Sequence, residues 1–313
     1  VARAPVGLGR WAGWGGGGAG GGRGGGGGGG GGGRGPVAPR RPVRGTPADY
    51  GVVADSVRFR TRRGRWLSGW LLAGEPRVGR VVICHGWGVN RVFMLALARP
   101  LQQAGWQVLV FDVRNHGNSD DDTFSSMPRF AEDIVAAVSW LRRHDTGDEG
   151  PLVVAGHSVG AAATLLAASW CDDIDAAISL SGFVHPTRMM QRWLAARHIP
   201  YMPLGWLVLR YIEAVIGHRF DTIAPVTVIR GLDIPVLIAH GRGDTVIPPA
   251  DAEALARAGP PETTWQVWLE GGHDLSDELA AQWPRLAGFL GPGLAGPHLL
   301  ATPPPPAACS MAP

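Results

Sequence analysis

Three side chains that together could transfer an acyl group stand far apart in the chain. Ser158 lies within Gly156-His157-Ser158-Val159-Gly160, Asp244 within Gly241-Arg-Gly-Asp244-Thr-Val-Ile-Pro248, and His273 within Glu270-Gly-Gly-His273-Asp274. A serine hydroxyl is a poor nucleophile at neutral pH. It needs a base within hydrogen-bond reach, and that base needs a third group to orient it. The G-x-S-x-G pattern offers a place for such a serine, a sharp strand-to-helix turn that strains its backbone and lifts its hydroxyl above a sheet. Side chains two residues to either side would collide where strand and helix approach, so glycines are needed there. The same five residues could also form an ordinary turn, so the surrounding elements must decide.

Leu152 to Ala155 form a short apolar run suited to a strand buried on both faces, and the small residues from Ala161 onward continue at helical spacing. Upstream, Val52–Arg60 and Trp66–Ala73 predict antiparallel edge strands around a turn at Arg62-Arg63-Gly64. Arg80–Cys84 predicts a buried strand running into His85-Gly86-Trp87-Gly88, and residues 91–104 a helix that Pro100 kinks or shortens. Trp106–Asp112 reads as a further strand and Phe130–Arg142 as a helix, with Phe130, Ile134, Ala137, Val138 and Leu141 on one face. Downstream, strands at Ala176–Leu180, Pro235–Ala239 and Trp265–Leu269 are followed or separated by helices at Asp251–Ala258 and Leu275–Leu290. This alternation predicts an α/β fold, a mainly parallel sheet of roughly eight strands with helices on both faces and a crevice at the carboxyl ends of the strands. Asp244 and His273 each follow a strand, so both fall at that crevice. Asp274 and Asp277 compete with Asp244 for the carboxylate role, although Asp274 also suits a helix N-cap.

The segment 183–230 breaks the alternation. It is rich in tryptophan, methionine and other apolar residues and has no clear strand, which predicts a helical cap inserted over the sheet. Met189, Met190, Trp193, Tyr201 and Trp206 in this segment, with Trp87 at the crevice, are expected to line a site for an apolar substrate. Tyr201–Ile216 is short for a membrane span and contains Arg210 and Glu213, so it reads as a buried or interfacial lid helix, and membrane contact is not predicted.

A chain of 313 residues with 45% hydrophobic content can bury a sizeable core. The net charge of +3 misleads, because seven of the 29 basic residues, all arginine, precede the first acid at Asp49; the remaining 22 face 26 acidic residues. With no nucleic-acid motif beside them, the arginines predict a solvated arm and no nucleic-acid partner. Residues 1–45, nearly all glycine between 15 and 35, and the proline-rich residues 291–313 are expected to be disordered tails around a folded core at 46–182 and 231–290. No apolar stretch of signal-peptide length precedes the glycines. Three widely spaced cysteines, Cys84, Cys171 and Cys309, form no disulfide framework, and a cytoplasmic location is the resulting expectation. Nothing has metal-ligand spacing, and no Gly-x-Gly-x-x-Gly follows a strand, so neither metal nor cofactor is expected.

Four segments in order, HGWG at 85–88, GHSVG at 156–160, GRGDTVIP at 241–248 and GGHD at 271–274, together with DVRNHGNSD at 112–120, resemble the α/β-hydrolase superfamily. The similarity runs from about residue 46 to residue 290 and leans toward capped esterase, lipase-like and serine-aminopeptidase-like members. The order Ser158, Asp244, His273 is the one used there, unlike those of chymotrypsin-like and subtilisin-like proteases. The resemblance implies Ser158 as nucleophile, His273 as base and acid, Asp244 as its orienting carboxylate, and the backbone NH groups of Trp87 and Val159 as the oxyanion hole. On their own reading, His85 and His116 are expected to be structural, hydrogen-bonding the loops around the crevice, and His157 to face away without a chemical role. Trp87-Gly88 departs from the glycine run of hormone-sensitive-lipase-like esterases, and Ser158 from the aspartate of dehalogenases and epoxide hydrolases. The expected activity is hydrolysis of an apolar ester, thioester or amide through an acyl-enzyme. The alternatives are an acyltransferase with the same triad, a non-catalytic binding protein, and an interaction protein working through its Gly-Arg arm.

Overall fold

The computed structural model describes residues 38–75, 78–144, 150–275 and 279–291. Eight strands form one sheet: β1 (Asp55–Arg60), β2 (Trp66–Leu72), β3 (Arg80–Cys84), β4 (Gln107–Phe111), β5 (Leu152–His157), β6 (Ala176–Leu180), β7 (Val236–Gly241) and β8 (Thr264–Leu269). Their spatial order is β1-β2-β4-β3-β5-β6-β7-β8. β2 runs antiparallel to both neighbours, and every pairing from β4 to β8 is parallel. Trp66–Leu72 is therefore an interior strand, not the edge strand its mixed composition predicts. The reason is burial: β1 pairs on one side and β4 on the other, and Leu67, Trp70, Leu71 and Leu72 are all buried.

Parallel strands require crossovers, and the crossovers cover the two faces. Val82 and Cys84 of β3 join one apolar cluster with residues of α2 (Met127–His144), α3 (Val159–Ala168) and α8 (Pro249–Ala258). Val81 and Ile83, pointing the other way, join a second cluster with α1 (Leu95–Gln103) and α9 (Leu279–Ala287). The period-2 alternation of a strand thus sends its two residue sets to opposite cores. A short 3-10 turn at Arg91–Met94 precedes α1, its first free NH groups capped by Asn90, whose Oδ1 accepts from Val92 N at 3.1 Å. Pro100 sits inside α1 without ending it. The closing helix is shorter than its apolar pattern predicts, and residues 276–278 lie outside the described residues.

Between β6 and β7 the chain forms α4 (Pro186–Ala195), α5 (Trp206–Ile216), α6 (Phe220–Ile223) and α7 (Pro225–Val228). Leu209 and Glu213 are the buried residues of α5, and Glu213 accepts from Phe220 N at 2.7 Å while pairing with Arg210. Its other face exposes Trp206, Leu207, Val208, Tyr211 and Val215. Among the described residues no helix is long and apolar enough to cross a membrane.

The N-terminal boundary differs from the one expected at residue 45. Residues 1–37 lie outside the described residues, but residues 38–45 pack on the fold: Ala38 is buried, and Asn90 Nδ2 donates to Pro42 O at 3.2 Å. Arg40 donates to Gly117 O at 2.5 Å and to Ser119 O at 2.9 Å, and pairs with Asp121. A guanidinium offers five donors in a fixed fork, so one arginine can satisfy several loop carbonyls that glycine neighbours cannot.

Candidate active site

β5 is buried along its whole length and ends at His157, and α3 starts at Val159. Ser158 between them has φ 57° and ψ −118°, a positive φ that costs a residue with a β-carbon. The turn is held by Ser158 N donating to Leu180 O of β6 at 2.9 Å. The flanking glycines are required by close approach. A β-carbon on Gly156 would lie 2.3 Å from Gly160 O, and one on Gly160 would lie 2.5 Å from His85 O.

The loops after β7 and β8 bring two further side chains to Ser158. His273 Nε2 is 3.0 Å from Ser158 Oγ, and His273 Nδ1 is 2.8 Å from Asp244 Oδ2. A carboxylate accepts only, so Nδ1 carries the proton and Nε2 is left to accept from the serine hydroxyl. All three residues are buried. Asp244 Oδ1 accepts from Val246 N and Ile247 N, each at 2.8 Å, which fixes the carboxylate plane. Burial alone would raise the Asp244 carboxyl, but hydrogen bonds from His240 and His273 outweigh it and hold the group well below the usual carboxylate range. Asp244 is thus the carboxylate seated at His273 Nδ1, and Asp277 lies outside the described residues.

The loop carrying Trp87 is braced by two neutral histidines. His85 Nδ1 donates to Gly86 O at 2.7 Å and its Nε2 accepts from Val113 N at 3.2 Å. His116 Nδ1 donates to Arg114 O at 3.0 Å and its Nε2 accepts from Gly88 N at 3.1 Å. Burial pushes His85 down to about 4; burial together with the neighbouring His85 pushes His116 down to about 3. The Trp87 ring stacks on Phe130, with centroids 6.3 Å apart. Arg114 and Asp133 form a fully buried pair with several hydrogen bonds, and Arg91 pairs with Asp112. As the first residue of α3, Val159 has an NH with no partner inside its helix.

Met189, Met190 and Tyr201 are half-buried and pack against the cluster that contains Val159. Trp193 carries the Arg197 guanidinium 3.8 Å above its ring, and Trp206 stands among the exposed side chains of α5. Two residues that sequence reasoning left without a role join the site. His240, four residues before Asp244 on β7, donates from Nε2 to Ile247 O at 2.9 Å and lies 3.3 Å from Asp244 Oδ2. His157 does not face away: its Nε2 donates to His273 O at 2.7 Å. Their places at strand ends beside Asp244 and Ser158 were the available signal.

The profile of the family described as serine aminopeptidase, S33 (Hydrolase_4) matches residues 75–210. The structure superposes on the Pyrococcus furiosus esterase Pf2001 with a TM-score of 0.66 at 20% identity, covering 81% of this chain and 97% of that one. This chain is an α/β-hydrolase-fold protein. Among curated sequences, this chain is 29% identical over 192 residues to the uncharacterized protein YqkD of Bacillus subtilis, covering 60% of this chain and 63% of YqkD. It is 34% identical over 118 residues to the polyketide transferase ATR5 of Stachybotrys chlorohalonatus, covering 37% of this chain and 40% of the relative. It is 32% identical over 130 residues to the polyketide transferase af380 of Aspergillus fumigatus, covering 41% and 44%. The matched stretches thus span less than two thirds of these three relatives.

Proposed function

We propose that this protein is a serine hydrolase that cleaves a carboxylic ester, or a related thioester or amide, of an apolar substrate through an acyl-enzyme. The observation that carries the reading is the buried row in which His273 reaches Ser158 at 3.0 Å and Asp244 at 2.8 Å. In this reading Ser158 Oγ attacks the acyl carbonyl as its proton passes to His273 Nε2. Asp244 stabilises the imidazolium without taking the proton. The oxyanion of the tetrahedral intermediate accepts from the backbone NH groups of Trp87 and Val159, each such donor contributing roughly 3 kcal/mol to the transition state. His273 then returns the proton to the leaving group, and water repeats the sequence in reverse to free the acid and Ser158. The helices between β6 and β7 act as a cap whose half-buried Met189, Met190 and Tyr201 favour an apolar acyl or alcohol group.

The similarity to two fungal polyketide transferases favours a second reading, in which a hydroxyl or amine acceptor takes the place of water in the second half-reaction. One experiment addresses both readings. A fluorophosphonate probe should label the wild-type protein and leave Ser158→Ala unlabelled. Hydrolysis of p-nitrophenyl esters of graded chain length, run with and without an added alcohol, then separates free acid from transferred ester. Equal labelling of wild type and Ser158→Ala would exclude Ser158 as the nucleophile.

A further inference from the structure

His157 precedes Ser158 at the end of β5, is 2% exposed, and is not a member of the hydrogen-bonded row from Ser158 through His273 to Asp244. Its Nε2 meets the backbone oxygen of His273 at 2.7 Å across 116 residues of chain. A carbonyl can only accept, so Nε2 carries the proton and Nδ1 presents a bare lone pair. That Nδ1 is buried and has no partner among the described residues. The ring lies 4.9 Å from that of His273 and 5.1 Å from that of Phe93, centroid to centroid.

We propose that His157 is a positioning residue, whose Nε2–H fixes the main chain of His273 and thereby the distance from His273 Nε2 to Ser158 Oγ. The proposal rests on the reading of Ser158, His273 and Asp244 as a reacting triad. Three observations carry it. The His273 loop leaves β8 through Glu270-Gly271-Gly272, with Gly271 at φ 105°; Gln282 ties down Glu270 and Gly243 N donates to Gly271 O at 2.9 Å, both short of His273 itself. Asp244 orients the His273 ring through Nδ1, but orientation of a ring does not fix the translation of the backbone that carries it. His157, by contrast, is anchored. β5 is paired on both sides, to β3 through Cys84↔Gly156 and to β6 through His157↔Leu180. One rigid strand end therefore sets both the nucleophile and the carbonyl of the base.

The orphan Nδ1 argues for the donor as the reason a histidine stands here. A leucine or phenylalanine would fill the space without leaving a buried lone pair unsatisfied, which carries a free-energy cost. Burial and the neighbouring His273 push His157 down to about 3, so it stays neutral and adds no second positive charge beside the imidazolium that forms on His273.

The test compares wild type, Ser158→Ala, His157→Phe and His157→Gln in fluorophosphonate labelling, resolving the maximal inactivation rate from the probe affinity, with thermal unfolding run on each. Phenylalanine keeps the ring volume and deletes the donor; glutamine restores an N–H near the Nε2 position. The expected result is a maximal rate roughly 10- to 100-fold lower in His157→Phe at unchanged affinity, as for small displacements of reacting groups, with recovery in His157→Gln. A wild-type rate in folded His157→Phe overturns the proposal, and so does an equal loss in both variants. Failure of wild type to label, or labelling of Ser158→Ala at the wild-type rate, would instead overturn the triad reading beneath it. A long-range nitrogen–proton NMR spectrum of wild type tests the bond even where a variant does not fold: the Nε2–H tautomer of His157 is expected, and the Nδ1–H tautomer would overturn it.

Discussion

Acidification should destabilise this protein through histidines that the fold keeps neutral. His85 is pushed from 6.5 to about 4, and His116 and His157 to about 3, in each case chiefly by burial. In the unfolded chain all three return to about 6.5. Below that pH the unfolded chain binds protons that the folded chain refuses, so stability is full above 6.5 and is lost as pH falls from 6.5 toward about 4 for His85 and about 3 for His116 and His157. At pH 5 each histidine has lost about 2 kcal/mol, at 1.36 kcal/mol per pH unit, and the three together about 6 kcal/mol. That is comparable with the whole stability of an ordinary domain, about 5–15 kcal/mol. Asp244 works in the other window: its depressed carboxyl stabilises the fold above the ordinary carboxylate value and loses that contribution only at lower pH. Urea unfolding followed by tryptophan fluorescence at pH 8, 7, 6 and 5 measures the slope. His116→Gln, which loses the bonds to Arg114 and Gly88, should be less stable at pH 8 yet lose about one third less on going to pH 5. Equal extrapolated stability of wild type at pH 8 and pH 5 would refute the reasoning, and an unchanged acid loss in the variant would remove His116 from it.

Asp244→Asn should keep the fold and lower turnover on an activated ester by up to roughly 10⁴-fold, the size seen when a triad aspartate is neutralised, while Asp274→Asn should cost far less. The reverse ranking would reassign the acid. Gly160→Ala places a β-carbon 2.5 Å from His85 O and 2.7 Å from Cys84 O, both backbone atoms that cannot step aside; a loss of about 3 kcal/mol is expected, and undiminished urea stability would mean the turn has room to spare. Arg40→Ala should cost about 1–2 kcal/mol, because its partly exposed guanidinium spans Gly117 O, Ser119 O and Asp121; calorimetry that finds no change would mean these Arg40 bonds do not stabilise the fold.

Local chemistry was legible in the sequence. Strand and helix identities follow from the period of apolar residues within a few neighbours, and the glycines at 156 and 160 announce the turn that Ser158 occupies. The order of motifs then implies which loops meet. What sequence could not decide is which of several equivalent groups makes a given hydrogen bond. Asp244 and Asp274 are both carboxylates near His273 in the expected fold, and only the backbone path that aims Asp244 Oδ2 at Nδ1 separates them. The same holds for His157, whose partner carbonyl is 116 residues away, and for Arg40, whose fork meets a loop more than 75 residues distant. Trp66–Leu72 reads as an edge strand for a related reason: its own composition says that it is a strand, but the β4 neighbour that makes it interior is set by the sheet order. Periodicity acts between residues close in sequence, whereas a hydrogen bond acts over about 3 Å in space, and only the folded chain brings such distant partners within that range.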